Sequence, residues 1–261
     1  MPSTSDNIHY FVHEAENHIA KRPPVVLIHG AGGFSLSWPP QIRRLEGQCV
    51  YAIDLPGHGE SDGFGRQSIE EYVEDVYKFI KSLKLRNVVL AGVSMGSAIA
   101  LKLVLKYPKK VSGLVLLGSG LKLRVTSSIL ESLGNPGLYQ SAVDSINENC
   151  FSRGASPRLK ELSKQAMMSM RPSVLVSDFL ACDKFDIGGL AAGIRIPSLI
   201  ICGDEDKMTP LKYSEALRDS ITNSQLQVVA GAGHMVMAEQ PELVAELFMK
   251  FVNSIPPQMH A

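Results

Sequence analysis

The sequence carries no surplus of either charge. In 261 residues, 26 lysines and arginines stand against 26 aspartates and glutamates, so no overall field draws the chain to nucleic acid or to an anionic membrane surface, and no basic stripe supplies one locally. Cysteine is scarce as well. Its four copies form no C-x-x-C pair and no Cys/His spacing suited to zinc, which argues against a disulfide scaffold and gives no metal site. Cys49 and Cys202 sit in apolar runs and read as buried free thiols. No uninterrupted apolar segment approaches membrane-spanning length, and residues 1–6 lack the basic-then-apolar pattern of a secretory leader. The expectation is a cytoplasmic chain with neither nucleic acid nor membrane as a partner; the oligomeric state is left open. What is present is an ordinary globular composition, 45% apolar and 20% charged, with enough chain for one α/β core and an excursion from it.

Short, continuous, β-branched runs mark strands covered on both faces, as in a parallel sheet. They occur at Pro24–Ile28, Cys49–Ile53, Asn87–Ala91, Val111–Leu117 and Pro197–Cys202; Gln225–Val229 predicts a further strand, and a looser alternation at Ile8–His13 an edge strand. Helical patterns separate them. Ser68 and Glu71 form a capping box ahead of Ile69, Tyr72, Val73, Val76, Phe79, Ile80 and Leu83 at helical spacing. Further helices are predicted from Trp38 to Leu45, from Ser97 to Tyr107, from Leu211 to Leu217 and from Pro241 to Val252. Residues 14–22 read as a polar turn region and residues 256–261 as a frayed tail. This alternation predicts a mostly parallel sheet with helices on both faces. Between residues 119 and 192 it stops. Helix starts at Pro136, at Ser156-Pro157 and at Pro172-Ser173 predict a helical cap over 119–192, inserted into a core formed by 1–118 and 193–261. Met167, Met168, Met170, Leu175, Val176, Phe179 and Leu180 of this insertion either line an adaptable apolar pocket or pack the insertion on itself.

The stretch Gly92-Val93-Ser94-Met95-Gly96 joins a predicted strand to a predicted helix, the context of a G-x-S-x-G nucleophile elbow. A serine hydroxyl is a poor nucleophile near neutral pH, so it needs a base and a third group to orient that base. Of the seven histidines, His234 follows the last predicted strand at the same sheet edge as Ser94 and is the best placed. His29 also ends a strand, but a histidine beside a glycine turn is better suited to propping that turn. His9, His13 and His18 precede the first secure strand, His58 lies in a glycine loop and His260 in the tail. For the acid, the turn Gly203-Asp204-Glu205-Asp206 offers three carboxylates; Asp206 is preferred because the chain needs residues after Gly203 before it can fold back, with Asp204 second.

The order Ser94, Asp206, His234 brings a resemblance into view. From about Val25 to Val252 the sequence resembles the α/β-hydrolase superfamily, serine-nucleophile esterase branch. The motifs are His29-Gly30-x-Gly32, Asp54-Leu55-Pro56-Gly57-His58-Gly59-x-Ser61, Gly92-x-Ser94-Met95-Gly96, Gly203-x-x-Asp206 with Pro210, and Gly233-His234. The resemblance implies the α/β-hydrolase fold with an inserted helical cap. It also implies Ser94 as nucleophile, His234 as base, Asp206 as orienting acid, the Ala31 and Met95 backbone N–H groups as the oxyanion hole, and no cofactor. Many relatives carry a second glycine after the elbow where this chain has Ser97, which makes the helix start bulkier. Serine rather than aspartate at the nucleophile position disfavours the haloalkane dehalogenase and epoxide hydrolase branches.

The reading is a hydrolase of small-molecule carboxylic esters with small to medium acyl groups. Its alternatives are a C–C bond hydrolase or lactonase of the same fold, with which Trp38 is compatible if it does not pack beneath the insertion, and a ligand sensor that does not turn over. Arg124, Arg153, Arg158 and Arg171 either bind an anionic substrate group or lie solvated on the surface.

Overall fold

A computed structural model describes residues 2–4, 7–14 and 22–256. The predicted turn region at 14–22 and the tail lie almost wholly outside these residues, as do His18 and His260. In chain order the elements are β1 (Tyr10–His13), β2 (Val25–Ile28), α1 (Pro40–Arg43), β3 (Val50–Ile53), α2 (Ile69–Ser82), β4 (Val88–Val93), α3 (Met95–Lys106), β5 (Val111–Leu117), α4 (Ser127–Gly134), α5 (Tyr139–Cys150), α6 (Pro157–Ser169), α7 (Pro172–Asp183), β6 (Ser198–Gly203), α8 (Leu211–Ser220), β7 (Ser224–Val229), α9 (Val236–Glu239) and α10 (Pro241–Ser254).

The strands form one seven-stranded sheet in the order β1-β3-β2-β4-β5-β6-β7. Only the β1 and β3 pairing is antiparallel; the rest is parallel. The period of two along a strand divides its side chains between two cores. Val26, Ile28, Leu90 and Leu116 face a cluster that includes α2 and α3, while Val25, Leu27, Val89 and Val115 face one that includes α1 and α10. Both faces of β2 are completely buried, which is why its sequence is an unbroken apolar run, each such side chain contributing roughly 1.5–3 kcal/mol. The chain passes from β2 to β3 on one side and then, through α2, crosses back past β2 to β4 on the other. That reversal opens a crevice at the carboxyl ends of β2 and β4, where open α/β sheets bind ligands.

Sequence patterning and structure differ at three places. The predicted helix at Trp38–Leu45 shrinks to α1, and Trp38 packs fully buried against the α10 side of the sheet instead of beneath the insertion. The proline signal at Pro136 does not start a helix. Asn135 accepts the Gly137 N–H through Oδ1 at 2.9 Å, making an Asx turn, and α5 begins two residues later at Tyr139. Helix α4 has neither a proline start nor a capping side chain and had no sequence signal. Helices α6 and α7 begin at the predicted prolines, and α4 to α7 all lie between β5 and β6.

Candidate active site

Ser94 stands at the end of β4 and caps α3, with φ 54° and ψ −117°. A non-glycine residue pays roughly 1–3 kcal/mol for such a conformation, which persists only where neighbours over-determine it. Those neighbours are visible. The Ser94 N–H donates to the Leu117 carbonyl at 2.9 Å, and a Cβ on Gly92 would overlap the Gly96 backbone, just as one on Gly96 would overlap the Ile28 carbonyl. Strand, elbow and helix therefore approach closer than side chains permit. Ser97 adds a tie: its buried Oγ lies 2.7 Å from the Gly92 carbonyl and accepts the Leu117 N–H at 3.2 Å. The bulk at the helix start is thus absorbed by hydrogen bonds to the elbow and to β5.

His234 follows β7 and is almost fully buried. Its Nδ1 donates to Asp206 Oδ2 at 2.9 Å. Donation from Nδ1 fixes the neutral tautomer with Nε2 as acceptor, the form a general base requires. The three carboxylates of the 204–206 turn part company. Asp204 accepts the Gly231 N–H at 2.7 Å, Glu205 accepts the Arg153 N–H at 3.0 Å, and Asp206 turns inward to the imidazole. Burial raises the Asp206 pKa, but the His234 ring and the bonds from Thr209 outweigh it and hold the carboxyl below its ordinary value.

Four groups that shape this arrangement had not been read from the sequence. Thr209 donates through both N–H and Oγ1 to the two Asp206 oxygens, each at 2.8 Å, and its Oγ1 lies 3.2 Å from His234 Nδ1; a threonine three residues after an aspartate is the available signal. Glu239 accepts the Gly233 and Ser152 N–H groups at 2.8 and 3.1 Å and so clasps the His234 loop to the end of α5. Gly118, at φ +52°, lies against the imidazole, since a Cβ there would come within 2.6 Å of His234 Cε1. Asp178 of α7 accepts the Gly32 N–H at 2.9 Å.

Ser94 and His234 open into one cavity of about 400 Å³, and among the described residues no hydrogen bond joins Ser94 Oγ to the ring. The cavity is bounded by the 30–34 turn below and by residues of α5, α6 and α7 above. Ala31 lies in its wall, and Met95 opens the helix beside Ser94; neither N–H has a protein acceptor among the described residues. Of the seven insertion residues considered as pocket lining, Met167 and Phe179 reach the wall, whereas Leu175 packs against Gly32 of the core turn and Val176 against the insertion's apolar cluster. Arg124 is the one permanently charged side chain among the described lining residues; Arg171 is engaged elsewhere, donating to the Gly63 carbonyl at 2.5 Å. Two thiols, Cys150 and Cys182, also face the cavity. Burial, followed by the nearby Asp206 charge, pushes the Cys150 thiol up to about 12, and Cys182 is raised likewise, so neither supplies a thiolate to compete with Ser94. Among the described residues no cluster of three or more His, Cys, Asp or Glu is disposed to hold a metal ion, and no helix is long and apolar enough to cross a membrane.

His29 props the glycine turn. Its Nδ1 donates to the Gly30 carbonyl at 2.8 Å and its Nε2 accepts the Leu55 N–H at 3.1 Å, joining the ends of β2 and β3.

Residues 25–247 match the Alpha/beta hydrolase family profile, and the chain belongs to that family. A solved thermophilic esterase superposes with a TM-score of 0.84 at 32% identity, covering 98% of this chain and 97% of its own. The 2-hydroxymuconate semialdehyde hydrolase of Pseudomonas sp. (strain CF600) is 30% identical across 88% of this chain and 86% of its own length. The 3-oxoadipate enol-lactonase 1 of Acinetobacter baylyi is 28% identical across 89% and 90%.

Proposed function

We propose that this member of the Alpha/beta hydrolase family is a serine hydrolase that cleaves carboxylic esters of small to medium acyl groups. The observation that carries the reading is the Asp206–His234 hydrogen bond, which leaves His234 Nε2 as an acceptor in the cavity that Ser94 enters from a strained turn. In the proposed reaction His234 takes the Ser94 proton as Oγ attacks the ester carbonyl, and the Ala31 and Met95 N–H groups hold the developing oxyanion. His234 then passes the proton to the departing alcohol, leaving an acyl group on Ser94. Water, deprotonated by the same imidazole, attacks that acyl group, and Oγ recovers the proton as the acid leaves. The chemistry calls for no cofactor.

The wall supports the substrate class, because it is mostly apolar and its volume suits a modest acyl chain. Residues 119–192 act in this scheme as a cap that closes the cavity over Ser94. Four free cysteines are in keeping with a cytoplasmic site of action.

The test is p-nitrophenyl ester turnover together with covalent labelling of Ser94 by an alkyl phosphonate. Ser94→Ala should abolish labelling and lower kcat on the order of 10⁶-fold, the loss seen when a serine nucleophile is removed from such a unit. Wild-type turnover in Ser94→Ala would refute the assignment. The relatives favour one second reading, lactone or C–C bond hydrolysis at the same serine, which turnover of lactones or vinylogous diketones without turnover of esters would establish. Labelling without repeated turnover would instead mark a sensor.

A further inference from the structure

Asp178 lies in the second half of α7, fully buried, at a point where three other parts of the chain converge. Its Oδ2 accepts the Gly32 N–H at 2.9 Å and the His58 Nε2–H at 2.8 Å, and its Oδ1 accepts the Tyr72 hydroxyl at 2.5 Å. A buried carboxylate is costly unless it is paired and its lone pairs are met. Here three donors meet it, and one is a cation. The His58 Nδ1 lies 3.1 Å from the Pro56 carbonyl, which can only accept, while its Nε2 faces a carboxylate. Both ring nitrogens must donate, so the ring is an imidazolium. Burial works against that cation, and the Asp178 charge and hydrogen bond overcome it, leaving the His58 pKa raised.

The donor that matters for chemistry is Gly32. Residues 30–33 form a β-turn closed by the Gly33 N–H on the Gly30 carbonyl at 3.1 Å, with φ +69° at Gly32 and no positive φ at Ala31. A positive φ at the third residue is the mark of a type II turn, and its type I counterpart differs by a rotation of the central peptide. That central peptide joins Ala31 to Gly32, and its N–H is the one Asp178 holds. Glycine by itself permits either form. The rotated form would present the Ala31 carbonyl to a carboxylate, oxygen against oxygen.

We propose that Asp178 is a positioning residue for the reaction: its carboxylate pins the Ala31–Gly32 peptide against rotation and so keeps the turn that carries the Ala31 N–H, one peptide earlier, from shifting relative to the oxyanion. This rests on the ester-hydrolase reading above. The lock runs from the helical insertion to the sheet edge: Leu175 and Met167 pack against Gly32, and Asp178 adds the one hydrogen bond from α7 to the turn's backbone among the described residues. Tyr72 serves as the internal control, since its hydroxyl meets the opposite oxygen and does not touch the turn.

Asp178→Asn keeps shape and removes the charge shared by Gly32 and the His58 imidazolium, so the turn is left with a weaker, neutral acceptor for which His58 competes. On a p-nitrophenyl ester its kcat should fall about 10- to 100-fold, the scale of a small misplacement in a catalytic array, with KM changed less than about threefold, as expected of a group felt in the transition state alone. The phosphonate labelling rate of Ser94 should fall in parallel, and the Ala31 and Gly32 amide resonances should shift or split in ¹⁵N spectra. Tyr72→Phe should lower stability yet keep kcat within about twofold. Should Asp178→Asn fail to accumulate as folded protein, Asp178→Glu, which moves the charge by one methylene, must show the same drop in kcat at preserved KM.

Wild-type kcat in these Asp178 variants, or equal effects on kcat in Asp178→Asn and Tyr72→Phe, would reduce the contact to a structural bond and overturn the proposal. An absence of ester turnover by the wild-type protein would overturn the parent reading instead, and an unchanged Ala31 resonance in Asp178→Asn would overturn the lock independently of any activity.

Discussion

Gly118 shows how a residue without a side chain can be demanding. It sits at φ +52°, where a Cβ is penalised by the backbone and, in this place, by the imidazole 2.6 Å away. Gly118→Ala should therefore lower kcat by about 100-fold through a displaced His234, at a stability cost of about 1–3 kcal/mol; ester kinetics set beside thermal unfolding check both, and unaltered kcat would show that the ring is held elsewhere. Neither this glycine nor Thr209 was legible as part of a site, because their roles come from what β5 and the 206–209 turn are folded against. Asp206 and His234 were more legible: each lies a few residues beyond the end of a strand, β6 and β7, so the strand pattern puts both turns at one sheet edge, and the hydrogen bond between them joins the two turns there. Asp178 is the hardest case. Its signal was an acid within an apolar helical stretch, Val174-Leu175-Val176-Ser177-Asp178-Phe179-Leu180, and nothing local says which part of the chain that acid will meet.

At the level of elements, the chain is most readable where local chemistry and tertiary context agree. Helix α2 begins at Ser68, whose Oγ accepts the Glu71 N–H at 3.4 Å and donates to the Glu71 carboxylate at 2.7 Å, and it buries the residues that the periodicity put on one face. Ser68→Ala should cost about 0.5–1 kcal/mol in urea unfolding and leave kcat unchanged; a loss of activity at constant stability would mean that α2 is coupled to the site by more than packing. The inner strands β2, β4 and β6 were readable because burial on both faces leaves a largely continuous apolar run, whereas the edge strands β1 and β7 show only alternation. The insertion was harder to read. Helix α4 is largely exposed and uncapped, so it shows no strong apolar stripe or start signal, and its place depends on packing against α5 and α7. Helix α5 starts later than the proline signal because the Asx turn at Asn135 takes up the residues around Pro136.

At the scale of the whole molecule, the insertion and the sheet share a buried electrostatic cluster, and its pH behaviour follows from two histidines of opposite state. His29 is held down to about 4, by burial first and then by the His58 charge beside it, so its neutral burial costs stability as pH falls from 6.5 toward that value. His58 is raised, so its contribution is full below its ordinary 6.5 and is lost as pH climbs through the higher folded value. Asp54, Tyr72 and Cys182 complete the surroundings of the pair. Asp178→Asn separates the opposing effects by removing the partner of His58. The unfolding free-energy gap between wild type and this variant should be wide on the acid side of the ordinary 6.5 and should narrow as pH rises through the raised folded value of His58; urea titrations from acid to alkaline pH check it, and a gap that grows toward alkaline pH would reverse the assigned charge states. One further feature bears on how such a chain can change over generations. Lys122 and Asp186 pair as an isolated β-bridge, and the Ile187 N–H donates to the Leu121 carbonyl at 2.9 Å, so the helical segment departs and returns through a narrow neck. Recombination or insertion within that neck can exchange the helical residues that line the cavity while the strands keep their register. The exchange is not free of obligation, because an incoming segment must still bring an acid to the glycine turn or find another way to hold it.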